Sequence, residues 1–403
     1  MLLIAAAPLL SSGPSAQSAR DWPSWRGPNR DGKSLDSGLL KEWPDDGPLL
    51  LWTVDSIGRG FSSVAVADGA VYTTGDFDGR LFIFAFDLNG NLKWKADHDK
   101  ACTLNPPGSR STPTISDGLL YIISGYGLVG CYDIRNGKPV WTRSVAEFGG
   151  APPDAGCAES VLIYNNLAII TPGGDKCLAA LNKADGSTVW TTAGYRAQAQ
   201  YASPIAFVHQ GLPLIVTGTK EGLVCVRADD GKILWSNPWC AGNTFNCTTP
   251  VYSNGYLFWS NGSRIKGGIC LKLEGSGTNA AAREVWTTSD FASFHGGYVI
   301  HDGFIYGNHA NGWACIDVKT GVLKTQARAI GRGSLCFADG MLYLFGERAG
   351  VAALMTCSPE ALQIKGQFSV KGTGPSYAHP VVAGGRLYLR YENNLYCYRV
   401  SAN

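Results

Sequence analysis

The sequence predicts an all-β protein, an eight-bladed β-propeller of four-stranded antiparallel blades, and three observations lead there. A tight-turn pair recurs eight times between β-rich runs: Asp68-Gly69, Asp117-Gly118, Asn165-Asn166, Gln210-Gly211, Asn254-Gly255, Asp302-Gly303, Asp339-Gly340 and Gly384-Gly385. The spacing, about 45 residues, is the length of a propeller repeat. A second turn in most units leads through an apolar residue to tryptophan, as in Asn136-Gly137 to Trp141. Finally, 51 glycines and 12 tryptophans with only 16% charged residues suit many turns and packed rings, and argue against long helices or disorder.

Taken in chain order, residues 1–19 come first. An apolar run from Met1 to Leu10 followed by small and polar residues reads as an export signal, without the usual basic start. It is too short to cross a bilayer, and no later segment is long enough, so a periplasmic or secreted protein without an integral membrane span is expected. Residues 20–48 form an N-terminal extension, and residues 49–403 the propeller as a single domain. A ring of small sheets has no single core that must grow, so chain length does not force a second domain.

Blade two shows the strand plan. Residues 111–115, 119–124, 128–134 and 139–143 are its four strands, with Asp117-Gly118 and Asn136-Gly137 as turns. Seven units are complete, but the eighth, residues 379–400, has three strands only. Residues 49–54, Leu-Leu-Leu-Trp-Thr-Val, have the apolar-Trp-Thr form of a last strand, as in Val140-Trp141-Thr142, yet precede blade one. Pairing them beside the C-terminal strands closes the ring and removes its open edges.

Trp52, Trp94, Trp141, Trp190, Trp235 and Trp286 recur at one position per blade. A large amphipathic ring there packs between blades and gives its indole N–H to a neighbouring carbonyl. Blades six and seven have Thr325 and Gln367-Phe368 instead, and are expected to dock less tightly. Cys131, Cys225, Cys270, Cys315 and Cys397 share a third-strand position with Ala85 and Ala180. They read as small apolar fillers kept reduced, since facing sheets lie beyond disulfide reach. Cys240 and Cys247 bracket a short loop, and the sequence leaves their pairing open.

Innermost strands converge on the axis, so residues just before them crowd one mouth of the channel. Alignment puts Ser63, Thr112, Ser160, Ser203, Thr249, Gly296, Ser334 and His379 at one level, where hydroxyls satisfy backbone groups and channel water. The residues before them depart from the repeat: Arg110, Glu159, Tyr201, His295, Arg332 and Tyr377. Together with His379 they form the predicted ligand site, whose charges and rings suit a planar anion or a sugar. The longest loops, 97–110, 145–159 and 236–248, carry Cys102, Phe148, Trp239 and Phe245, the aromatics being expected as exposed anchors. A net charge of +2 without a basic cluster argues against a nucleic-acid partner. The histidines have no metal-ligand spacing, and no haem, P-loop or Gly-x-Ser-x-Gly motif occurs, so neither a metal site nor a catalytic residue is assigned.

With the segment Asp21-Trp22-Pro23-Ser24-Trp25-Arg26-Gly27-Pro28-Asn29-Arg30-Asp31-Gly32, the Trp-ended units, His295-Gly296-Gly297 and Ala378-His379-Pro380-Val381, residues 21–400 take on a family likeness. The chain resembles the PQQ-binding-like β-propeller repeat proteins of the quinoprotein alcohol dehydrogenase-like superfamily, in the secreted or periplasmic form of planctomycete-type bacteria. The resemblance implies an eight-bladed ring and divides on function. In the dehydrogenase branch PQQ lies over the channel beside calcium; Glu159 would then be base or calcium ligand, and Arg110 or Arg332 would polarise the quinone. The BamB-like branch binds protein without a cofactor. The chain lacks the adjacent cysteine pair that covers PQQ in such enzymes, the insertions that build their active-site cover, and a rich set of carboxylates near the inferred mouth. The first cysteine, Cys102, lies far from the signal region, against a BamB-type lipid anchor. The expected function is therefore an exported, monomeric, non-catalytic scaffold for a protein, peptide or glycan, with a PQQ- and calcium-dependent alcohol or sugar dehydrogenase as the alternative.

Overall fold

A computed structural model of the protein describes residues 21–402 apart from Ser276 and Asn311; the signal segment expected at 1–19 lies outside them. Strands alternate with turns that the sequence can make tightly: Asp117 and Gly118 sit at φ 51° and 77°, the consecutive left-handed residues of a primed hairpin turn. The strands form eight four-stranded antiparallel sheets. Seven are consecutive in the chain. The eighth pairs Leu49–Val54 with Asn394–Arg399, followed inward by Arg386–Tyr391 and Val381–Ala383, so the predicted N-terminal strand completes the last blade.

Register explains the recurring cysteine. Cys131 lies opposite Trp141 on the outer strand and Tyr121 on the second; Cys397 lies likewise between Trp52 and Tyr388. Ala85 takes that place between Trp94 and Tyr72. A small residue lets the two rings lean together above it, with centroids 6.1 Å apart for Tyr121–Trp141 and 6.0 Å for Trp52–Tyr388. All twelve cysteines are unbridged, Cys240 and Cys247 included.

Each of five tryptophans reaches the next blade. Trp52, Trp94, Trp141, Trp190 and Trp286 donate from Nε1 to the carbonyls of Leu88, Ile134, Lys183, Ala228 and Val318, at 2.7–3.0 Å. Their rings lie flat on the turn glycines Gly90, Gly137, Gly186, Gly231 and Gly321, where an added Cβ would come within 2.3–2.8 Å of the indole. Trp235 is the exception: its buried indole N–H has no acceptor. The next blade has no tight turn at that level, because its outer hairpin runs on until Glu274 pairs with Ala281.

The N-terminal extension is built into the ring. Trp22 exchanges two backbone hydrogen bonds with Val66 of blade one, Pro23 accepts from Ile115 of blade two, and Gly32 and Ser34 bracket Phe337 of blade seven. Between these contacts residues 24–31 fill the channel. Arg30 is wholly buried, its Nη1 donating to Ser160 O and Pro204 O at 2.9 Å and its Nη2 to Thr114 Oγ1 and Val161 O, which joins blades two, three and four. Burial lowers its pKa to about 9 while Glu159 opposes the fall, so the guanidinium keeps its charge at neutral pH. Arg26 donates to Asp31 O and to Tyr298 O of blade six.

The same extension repairs blade seven, where looser docking was expected. Phe368 packs edge-to-face on Trp43 and on Tyr398, at 5.4 and 4.8 Å, and against Gly47, whose added Cβ would meet the ring at 2.6 Å. Gly47 stands just before the strand that closes blade eight, so it takes the place of the turn glycine that the chain break removes. At blade six Thr325 faces Cys315.

Candidate ligand-binding site

The belt of small residues before the inner strands ties blade to blade. Ser63 N donates to Thr112 Oγ1, Thr112 N to Ser160 Oγ, Ser160 N to Ser203 Oγ, and His379 N to Ser63 Oγ, at 2.8–3.0 Å. These hydroxyls are occupied by neighbouring backbone. The belt therefore sets the diameter of the mouth.

Above the belt lies a cavity of about 300 Å³ lined by Trp25, Phe61, Arg110, Ala158, Tyr201, Phe245, Cys247, Phe294, His295 and Tyr377, with Asn105, Pro106 and Ala155. Six rings run around it in sequence: Phe61 to Tyr377 at 5.2 Å, Tyr377 to His295 and His295 to Phe294 at 4.0 Å, Phe294 to Phe245 at 6.3 Å, and Phe245 to Tyr201 at 5.6 Å. Trp25, carried in by the extension, is the floor. Its indole N–H donates to Thr249 Oγ1 at 3.0 Å, and its ring lies 4.5 Å from that of His379.

Of the predicted site residues, the structure brings Arg110, Tyr201, His295 and Tyr377 to this cavity. Arg332 stands at its rim, Nε 2.7 Å from Glu347 Oε2 and guanidinium 5.3 Å over Phe294. Two residues are elsewhere. Glu159 is buried in the blade wall, accepting from Thr171 N at 2.9 Å; burial raises its carboxyl to about 7 against the pull of Thr171 and Arg30. His379 lies beneath Trp25, its Nε2 donating to His295 O at 2.9 Å; burial and then the Arg26 charge push it down to about 3, so it is neutral.

The reason is register. Phe61, Arg110, Ala158, Tyr201, Cys247, Phe294, Arg332 and Tyr377 each stand two residues before the belt, and all but Arg332 line the cavity. Glu159 stands one residue before it, as does His295 before Gly296. Side chains alternate along extended chain, so residues two apart share a face while the one between turns away, as Glu159 does; His295 departs from that alternation and reaches the cavity. Selecting only position minus two would have found Phe61 and Phe294 and set Glu159 aside, but would also have lost His295. Trp25 lies outside the repeat, and nothing local in the sequence announces it as the floor.

Electrostatics alter the expected ligand. Arg110 spends its guanidinium on Cys102 Sγ and the carbonyls of Leu104, Pro106 and Gly108, pinning its own loop. Glu347, which the sequence reading missed, is buried beside Arg332, with His295 Nδ1 3.5 Å away; burial works to raise its pKa, but His295 and Arg332 hold it below the ordinary value. A planar anion thus finds no cation free to meet it inside the bowl. The loop aromatics also differ from expectation. Phe148 is buried beneath Arg143, Trp239 lies edge-to-face on Trp259 at 5.5 Å, Cys102 is buried, and Phe245 alone of these reaches the cavity.

A flat floor suits a planar ring such as PQQ, but calcium beside it needs several oxygen ligands. No carboxylate lines the cavity, and no group of three His, Cys, Asp or Glu among the described residues is placed to hold a metal. The residues present do not fit a calcium-quinone site.

Residues 78–326 match the family described as outer membrane protein assembly factor BamB, and the chain belongs to that family. It is 27% identical over 203 residues to quinoprotein alcohol dehydrogenase PedH of Pseudomonas putida, covering 47% of this chain and 31% of that protein. It is 26% identical over 209 residues to BamB of Yersinia pestis, covering 49% and 48%. The chain thus spans less than half the length of either curated relative. Among solved structures, BamB from Moraxella catarrhalis aligns with a TM-score of 0.64 over 88% of this chain and 98% of its own, at 14% identity. Quinohemoprotein alcohol dehydrogenase from Comamonas testosteroni aligns with 0.67 over 95% and 81%, at 11% identity. At such identities the structural likeness establishes the propeller alone.

Proposed function

We propose that this member of the BamB-described family is an exported, non-catalytic scaffold, periplasmic or secreted, whose mouth cavity takes an apolar or aromatic side chain of a protein or peptide partner. The observation that carries this reading is the continuous ring of Phe61, Tyr377, His295, Phe294, Phe245 and Tyr201 over the Trp25 floor, with the neighbouring charges already engaged. Rigid aromatic walls give contact area at little entropic cost, which is how anchor pockets bind. A glycan fits this bowl less well, because it wants free polar partners around its hydroxyls.

The test is selection of displayed random peptides on the protein, followed by titration of the selected peptides against Tyr201→Ala and Tyr377→Ala. Selected sequences should carry an aromatic or large apolar residue, and each variant should weaken binding by at least about tenfold. Equal binding to wild type and both variants would remove the mouth as the site. Adding PQQ and calcium separately addresses the dehydrogenase alternative: a bound quinone spectrum with dye reduction by alcohols would replace the scaffold reading with that one.

A further inference from the structure

The far end of the channel holds a second cavity, of about 400 Å³, and its lining differs in kind. The extension covers the inner strands of blades one, two and seven through the backbone contacts at Val66, Ile115 and Phe337. Blades three, four and five are left facing a space whose other wall is the exposed turn of the extension at Pro28 and Asn29, with Asp31 beside it.

At those three blades the inner strand departs from the repeat. Tyr164 and Phe207 stand where blades one, two, seven and eight have Ala67, Ser116, Ala338 and Ala383, and Tyr252 stands where three other blades have valine. All three rings are half-buried. Phe207 and Tyr252 stack at 4.0 Å with planes 9° apart, and the Tyr252 hydroxyl is fixed 3.0 Å from His209 Nδ1. The pair forms an aromatic slab in the cavity wall. Opposite stand an amide and a carboxylate. No net charge faces the space: Arg30 gives its donors to buried carbonyls and Thr114, and Asp31 lies 3.3 Å from Lys33 Nζ.

We infer that this cavity binds a neutral saccharide. A pyranose offers an apolar C–H face to an aromatic slab and hydroxyls at its edge to amide and carboxylate oxygens, which is the division of groups that Phe207, Tyr252, Asn29, Asp31 and Tyr164 present. An anionic ligand would lack a free cation, and an apolar one would leave the polar wall unsatisfied. This site is separate from the mouth and does not depend on what binds there.

Cellohexaose, maltohexaose and N-acetylated chitohexaose are titrated into the full protein by calorimetry. At least one binds; Phe207→Ala weakens that binding by about tenfold, whereas Tyr201→Ala at the opposite mouth leaves it unchanged. Asn29→Ala lies on an exposed turn and so keeps the test open should Phe207→Ala fail to fold; a loss of about threefold is expected. No binding of any of the three at millimolar concentration, or unchanged affinity in Phe207→Ala or Asn29→Ala, overturns the inference. Equal weakening by Tyr201→Ala would also overturn it, by placing the sugar at the mouth.

Discussion

Two arcs of the ring are held together differently. From blade eight round to blade six, junctions repeat one device, an outer-strand tryptophan lying on the next blade's turn glycine and donating to its carbonyl, with Trp235 alone lacking both partners. From blade six round to blade eight that device is gone, and residues from outside the repeat do the joining: Trp43 and Gly47 on Phe368, and Gly32 and Ser34 on Phe337. A repeat can shed its interface residue where a non-repeating segment covers the gap. The segment that covers it also fills the channel and lays the floor of the mouth cavity.

The largest expected effect tests that segment. Arg30→Ala leaves the carbonyls of Ser160 and Pro204 buried without their donor, while Val161 O keeps Thr114 Oγ1, and should cost at least about 2 kcal/mol in urea unfolding, at about 1–3 kcal/mol for each unsatisfied group. A loss below about 1 kcal/mol would mean that the plug is ornamental and the Trp-docked arc carries the ring alone. Gly47→Ala comes next. The backbone there is left-handed, at φ 82°, and the new methyl meets Phe368, so about 2 kcal/mol should be lost. Gly79, also left-handed but with open space around it, should tolerate alanine better, and equal losses would show that Gly47 does not act as the missing turn.

A smaller effect sharpens the contrast within the regular arc. Trp141→Phe removes a hydrogen bond to Lys183 O and should cost about 1 kcal/mol beyond the loss in ring size, whereas Trp235→Phe removes an indole N–H that has no acceptor and should cost less. Reversed costs would break the account of Trp235. The smallest effect is a slope. Glu159, beside the plug, holds its proton up to about pH 7 when folded and about 4.5 when unfolded, so between those values the folded chain carries more protons and stability falls as pH rises. The stability gained by Glu159→Gln should therefore grow from about pH 5 to about pH 7 and then level off in thermal unfolding. A difference independent of pH would place the carboxyl in a more polar setting than the blade wall.

Much of this was legible in the chain. Eight turn pairs, the Trp-ended strands and the displaced strand at residues 49–54 led directly to the closed ring, because each is a local signal repeated in register. The recurring cysteines were legible as fillers, and pairing gives the reason, since each lies opposite at least one ring and Cys131, Cys270 and Cys397 lie between two. The mouth was legible in part. Tyr201, Tyr377, Arg110 and His295 converge, but of the two residues that stand one place before the belt His295 reaches the cavity whereas Glu159 turns into the blade wall, a difference that alternation along the chain does not announce. What Arg110 binds could not be read, because its partners are carbonyls of its own loop. The role of Trp25, Arg26 and Arg30 was hidden for a different reason: they occur once, and their contacts span six blades that are distant in sequence.

The central claim is that residues 22–34 belong to the closed ring as fully as any inner strand. Native-state hydrogen exchange tests it most directly, through the amides of Trp22, Gly32 and Ser34, which donate to Val66 O, Arg26 O and Phe337 O. The account predicts that they exchange as slowly as amides of the inner strands, through global unfolding. Fast exchange of these three amides while the inner strands stay protected would contradict it.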